Sequence, residues 1–235
     1  MKINYDARGL AEPDARAPEV ATIEGEGSGR TAVFDAAELS TRQINLELRR
    51  LIYAEQITDI RVGNPGAKHS IAVGILARCR ITIGGSLGYF GCGLIDGPEI
   101  RITGRVGWSV AENMMSGVIV IDKNAGSLTG AALRGGDLVV RGDVGARTGI
   151  DQKGGSIIIG GRTGAFSGFM MQRGRMIVLG DAGKNLGDSM YDGTIYVGGK
   201  IASLGVDAIP ADKTAHEIAW LERKQIGRAS CRERV

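Results

Sequence analysis

One phrase returns along this chain at a fixed interval: two or three aliphatic residues running into a glycine-marked corner. Registered on its fifth residue, the phrase has landmarks at Asn64, Gly85, Gly104, Lys123, Gly142, Gly161, Gly180 and Gly199, with a first step of 21 residues and every later step of 19. A fixed period of this length means that each repeat is one structural unit stacked on the next. Contacts then run between neighbours, and the period must be read before any single residue.

Four and two places before the landmarks stand Ile81 and Ile83, Ile100 and Ile102, Ile119 and Ile121, Leu138 and Val140, Ile157 and Ile159, Met176 and Val178, and Ile195 and Val197. Alternation over so few residues describes a short strand with one buried face, in a segment too short to sustain a helix. Ten places after the landmarks come Ile95, Met114, Leu133, Gln152, Met171 and Met190, a mostly apolar column predicted to line the core from a second side. Glycine recurs three places after the landmark, at Gly88, Gly107, Gly126, Gly145, Gly164 and Gly183, and again seven and thirteen places after it. These read as corners, where glycine reaches positive φ without a Cβ clash and lets successive layers approach closely. Strands stacked on their own kind make an all-β parallel β-helix, and eight layers at about 4.8 Å give a rod roughly 40 Å long. The left-handed hexapeptide version is disfavoured because 19 is not a multiple of six, so the expected architecture is a right-handed, single-stranded solenoid.

The flanks depart from the repeat. Residues 1–33 are rich in Ala, Glu, Gly and Pro without periodicity, and read as a mobile arm with no assigned fold. Residues 34–58 carry a capping helix, in which Ser40 or Thr41 starts a turn that puts Ile44, Leu48, Leu51 and Ile52 on one face. An open β-helix end exposes unpaired backbone groups, and this helix is expected to cover them. The β-helix itself occupies 59–209. Residues 210–225 resume a helical pattern with Ile218, Trp220 and Leu221, either closing the far end or lying along the rod. The last ten residues, from Ile226, match no part of the repeat and read as translated adapter sequence rather than native chain.

Without that tail the 29 basic and 26 acidic residues become 26 and 25, and the formal charge falls from +3 to +1. A nearly neutral chain without Lys/Arg runs gives no reason to expect nucleic acid or a membrane surface as partner. Cys79 and Cys92, with no CxxC pair, make metal or cluster binding by this chain unexpected. With no signal peptide and no long apolar run, the expected location is cytoplasmic.

Motifs that suggest chemistry have simpler readings. Gly91-Cys92-Gly93-Leu94-Ile95-Asp96-Gly97 has the wrong spacing for a dinucleotide fingerprint and precedes another repeat, not a crossover helix. Asp137, Asp143, Asp151, Asp181, Asp188 and Asp192 are scattered over five repeat positions, unlike the grouped carboxylates of a carbohydrate-cleaving β-helix. His69 and His216 lie near no cluster of acids and hydroxyls, and Cys92 takes a position otherwise held by Gly or Ala, so no catalytic residue is assigned. The residues three before each landmark, Val120, Val139, Ile158, Ile177 and Tyr196, form an outward apolar stripe. It is either cover for the terminal helix or a docking surface for another subunit.

Four longer strings carry a family resemblance: AENMMSG from Ala111, GDAGKNLGDSM from Gly180, YDGTIYVGG from Tyr191 and SLGVDA from Ser203. Together they resemble the GXGXG domain that closes the large subunit of glutamate synthase, over about Phe34 to Ala208. The likeness is closest to the free-standing GXGXG subunit of three-part N-methylglutamate synthases and related complexes. The GXGXG-type subunits of formylmethanofuran dehydrogenase and of the formyltransferase/hydrolase complex share the domain and are the alternative. The resemblance implies a non-catalytic subunit without its own cofactor. Its partners would be a glutaminase-type amidotransferase subunit and a synthase subunit holding FMN and an iron–sulfur cluster.

Overall fold

A lone strand of four or five residues leaves its backbone donors and acceptors unpaired, so the strands of this repeat exist only as a stack. The computed structural model describes residues 16–25, 30–223 and 233–234. Its strands are β1 (Thr22–Glu24), β2 (Thr31–Asp35), β3 (Asp59–Gly63), β4 (Arg80–Gly84), β5 (Glu99–Ile102), β6 (Val118–Ile121), β7 (Asp137–Val140), β8 (Lys153–Ile159), β9 (Arg173–Val178), β10 (Thr194–Val197) and β11 (Glu233–Arg234). They form one sheet in chain order. β2 to β10 run parallel, and β1 and β11 pair antiparallel at the two edges. This is the parallel β-solenoid that the period predicts.

The register follows the repeat. Ile81 stands opposite Ile100, then Ile119, Leu138, Ile157, Met176 and Ile195 in successive layers, all buried. Each such side chain contributes about 2–3 kcal/mol by leaving water. The second predicted wall is also in place: Ile95, Met114, Leu133, Gln152 and Met171 are fully buried, and Met190 packs partly buried beside them. Bridges Leu87 to Val106 to Ala125, and Thr163 to Ala182 to Ile201, stack a further side.

Two expectations change. The sheet begins inside the stretch read as an arm without fold, because β2 joins β3 in register and β1 folds back on β2. The signal there is Thr31-Ala32-Val33-Phe34, whose alternate members Ala32 and Phe34 are buried. The rest of that arm, residues 1–15 and 26–29, lies outside the described residues. The corner glycines divide the two expected roles: those seven and thirteen places after the landmark take positive φ, while those three places after it serve close approach alone. Gly88, Gly107, Gly126, Gly145, Gly164 and Gly183 are not among the positive-φ residues. They are glycines because a Cβ at each would stand within 3 Å of the neighbouring coil, as at Gly145, where it would meet Ser127 N at 2.5 Å.

Left-handed backbone occurs further along each coil. The residues five, seven and nine places after the landmark have positive φ in coil after coil: Phe90, Cys92 and Leu94; Ser109, Ala111 and Asn113; Leu128, Gly130 and Ala132; Arg147, Gly149 and Asp151. Each such non-glycine residue costs about 1–2 kcal/mol. Compensation comes from hydrogen bonds that alternate between the two neighbouring coils. Phe90 N donates to Trp108 O at 2.8 Å, Cys92 N to Ile71 O at 2.8 Å, Leu94 N to Glu112 O at 2.8 Å and Asp96 N to Ile75 O at 2.9 Å.

At the first coil the preceding neighbour is missing, and the capping segment replaces it. Helix α1 (Thr41–Arg49) opens with a capping box between Ser40 and Gln43 and runs into a π-helical turn, Arg50–Ala54. Ile44, Leu48, Leu51 and Ile52 are buried on the core, as predicted. Asn45 Oδ1 accepts from Ala72 N at 2.9 Å, and its Nδ2 donates to Ser70 O at 2.7 Å. Tyr53 Oη accepts from Leu76 N at 2.8 Å. These side chains satisfy groups that in later coils are met by backbone. Among the described residues no helix is long and apolar enough to cross a membrane.

Glu47, fully buried on α1, binds the chain that precedes it: its carboxylate accepts from Glu19 N at 3.1 Å and Ala21 N at 3.0 Å and pairs with Arg50 at 2.9 Å. Burial pushes its pKa up, but the Arg50 hydrogen bond and charge and the two amides outweigh burial and hold it below the usual value. A carboxyl lowered in the folded state adds stability that is complete above the unfolded value near 4.3 and disappears as pH falls through the folded value. Glu47→Gln should therefore cost about 2–3 kcal/mol at neutral pH and flatten the acid limb of thermal melting below about pH 4; an unchanged acid limb rejects this role. Gly145→Ala should lower the urea midpoint by the equivalent of about 2–3 kcal/mol through backbone crowding alone; an unchanged midpoint rejects the close-approach account.

Candidate docking surfaces

Between the two inward positions of each strand lies one outward residue, so the ladder Arg101, Val120, Val139, Ile158, Ile177 and Tyr196 stands in register on the outer face of β5 to β10. Helix α2 (Ala215–Arg223) lies against this face rather than over the far end of the rod. Thr214 and Glu217 cap it reciprocally, with Glu217 N donating to Thr214 Oγ1 at 3.3 Å and Glu217 Oε2 accepting from Thr214 N at 2.9 Å. Ile177, Tyr196 and Leu221 form a second apolar cluster, flanked by Ile158, Leu179 and Trp220. Tyr196 Oη donates to Glu217 at 2.9 Å, and the Arg175 guanidinium sits 4.5 Å over the Trp220 ring. Burial, and then the Glu217 carboxylate, push the Tyr196 hydroxyl up to about 12, so it stays protonated and donating.

The docking reading is corrected at two of its five residues. Ile177 and Tyr196 are fully buried, and the chain's own helix covers them. Ile158 lies at the edge of that cover, while Val120 and Val139 remain half-buried beyond it.

Groups with reactive side chains are committed to structure. His69 Nδ1 accepts from Tyr89 N at 2.8 Å. Burial pushes the Cys79 thiol to about 11 and the Cys92 thiol to about 12, which removes the thiolate that a nucleophile or cluster ligand needs. Asp143 accepts from Arg162 N at 2.8 Å and Asp181 from Lys200 N at 2.8 Å, each carboxylate spanning to the next coil. Asp151 holds Lys153 at 2.6 Å and Gln172 at 2.6 Å. A hollow of about 560 Å³ has arginines on its walls, but Arg80 pairs with Asp59 at 3.4 Å and Arg30 with Glu55 at 3.4 Å.

The surface that sequence reasoning missed is the outer side of the left-handed segment. His69, Tyr89 and Trp108 stack along the rod with ring centroids 4.6 and 5.5 Å apart, and Tyr89 and Trp108 are about half exposed, at 51% and 54%. Leu94, Met115 and Met170 are also exposed along this segment of successive coils, and Phe90, Leu128, Ile150, Phe166 and Phe169 in it are half-buried. A signal was present in the repeat columns four, five and nine places after the landmark. Strand alternation could not place them outward, because this segment is not a strand.

Together these features define a capped parallel β-solenoid whose recognisable surfaces are its long outer faces. The chain belongs to the GXGXG motif family, which it matches over residues 58–208. It is also similar to Protein GlxC of Rhizobium meliloti (strain 1021), with 41% identity over 89 residues. The aligned stretch covers 38% of this chain and 39% of that relative.

If α2 is a structural cover, Ile177→Lys should lower stability by about 2–3 kcal/mol and open the 210–223 segment to trypsin, whereas Val120→Lys should leave both nearly unchanged. Melting curves with limited proteolysis decide it, and equal, small effects at both positions reject the cover.

Proposed function

We propose that this chain is the non-catalytic, structural GXGXG subunit of a multi-subunit, glutamate-synthase-like flavoenzyme. The particular enzyme we favour is N-methylglutamate synthase, which moves a methylamino group onto a glutamate-derived skeleton. The observation that carries this reading is the family match over the coils themselves, residues 58–208, supported by the similarity to Protein GlxC. The commitment of His69, Cys92, Asp143 and Asp181 to inter-coil bonds and burial supports a structural rather than a catalytic role. FMN and the iron–sulfur cluster then belong to a synthase subunit, and glutamine hydrolysis to an amidotransferase subunit, with assembly in the cytoplasm.

The test is recovery of the tagged chain from its native host. The expected result is co-purification of a flavin- and cluster-bearing subunit and an amidotransferase subunit, with methylamine-dependent N-methylglutamate formation by the assembly and a colourless chain when purified alone. Stoichiometric flavin in the isolated chain, or capture of formyl-transferring subunits instead, overturns the reading.

A further inference from the structure

The apolar outer face of the left-handed segment has a pattern that points to its occupant. Its columns are nearly self-complementary about the fourth coil, the one that carries Leu128. Four places after the landmark, large residues precede the centre and small ones follow it at equal distance: Trp108 one coil before against Ala146 one coil after, and Tyr89 two before against Ala165 two after. Five places after the landmark, Phe90 is matched by Phe166 about Leu128, with the polar pair Ser109 and Arg147 between them; nine places after it, Leu94 is matched by Met170 about Ala132, with Asn113 and Asp151 between them. At the ends, Leu76 aligns with Asp96 through the bond from Asp96 N to Ile75 O, and mirrors Tyr191. Leu76 and Tyr191 are 65% and 74% exposed.

Self-complementarity of this kind along a rod is what a two-fold axis requires. When two copies lie antiparallel with the axis crossing the rods at Leu128, each column faces itself in reverse order, so residue i meets j and j meets i. Trp108 and Tyr89 of one copy then lie over Ala146 and Ala165 of the other, Phe90 meets Phe166, Leu94 meets Met170, and Leu128 meets its own copy. Arg134 falls on the axis only at the exposed rim, where water screens like charge. Seven coils at about 4.8 Å and a face about 20 Å wide give on the order of 600 Å² per copy, so about 1,200 Å² in all, within the range of specific interfaces. Aromatic side chains at the centre of such a patch are the usual anchors of association.

We propose that this face is an isologous dimer interface, its occupant a second, antiparallel copy of this chain. The proposal does not depend on which enzyme the subunit serves. The test is sedimentation of the full-length chain, with Cys231→Ser as background, over a range of concentrations. A species of twice 24.7 kDa is expected for the parent chain. Leu128→Asp places two carboxylates against each other at the axis; because Leu128 has φ of 62° and Asp tolerates left-handed backbone, its melting curve should match the parent while dimer affinity falls at least tenfold. Leu128→Cys should form an intermolecular disulfide in air, since bridging needs Cα atoms within about 7 Å; the described cysteines, Cys79 and Cys92, are buried and cannot. A parent chain monomeric at every concentration overturns the proposal. So does a dimer that Leu128→Asp leaves intact and Leu128→Cys does not cross-link. A parent chain that is monomeric alone, but loses a co-purifying subunit on Leu128→Asp, assigns the face to that subunit instead.

Discussion

The hydrogen bond between one coil and the next is the interaction on which everything else here depends. A coil of this rod has almost no backbone bonding of its own; its amides donate forward and backward, to carbonyls one layer away. That arrangement accounts for two otherwise unrelated features. It lets residues as bulky as Phe90, Leu128 and Phe166 adopt left-handed backbone, because each strained residue is held by a bond to its neighbouring layer. It also requires the corner column to be glycine, because the layer spacing set by those bonds leaves no room for a Cβ.

What could be read in the sequence follows from the same physics. Strand positions such as Ile81, Ile83 and their successors announce themselves, since a pleated strand turns alternate residues inward and the 19-residue period repeats the message seven times. The inward column from Ile95 to Met171 was legible for the same reason. The left-handed segment was not. Its inward and outward residues follow no period that a helix or strand would give, so Tyr89, Trp108 and Leu94 could not be assigned a side before the fold was known. The docking stripe was half legible: alternation placed Val120 to Tyr196 outward, but only tertiary packing reveals that α2 rests on its later part. Family membership was legible from four strings within the coils.

The two helices show how a repeat array manages surfaces that the repeat creates and cannot itself cover. α1 and the π-helical turn that follows it deal with polar groups at an end, using amide and hydroxyl side chains. α2 deals with apolar side chains on a flank, using Leu221 and Trp220. The outer side of the left-handed segment receives neither treatment from the described residues, and Trp108 and Tyr89 stand on it about half exposed.

Asn45 has a consequence for the length of the rod. A primary amide carries the same donor and acceptor as a peptide unit; Asn45 places its acceptor where a preceding coil would have supplied one, on Ala72 N, and uses its donor to hold Ser70 O. To the first coil it is a forged peptide, close enough to be bonded as one yet unable to pass the ladder further. Growth of a solenoid has no internal stop, because every layer presents to the next the same template that it received. The stop has to be a counterfeit layer, and here Asn45 and Tyr53 supply part of it while β1, turned antiparallel, closes the edge of the sheet.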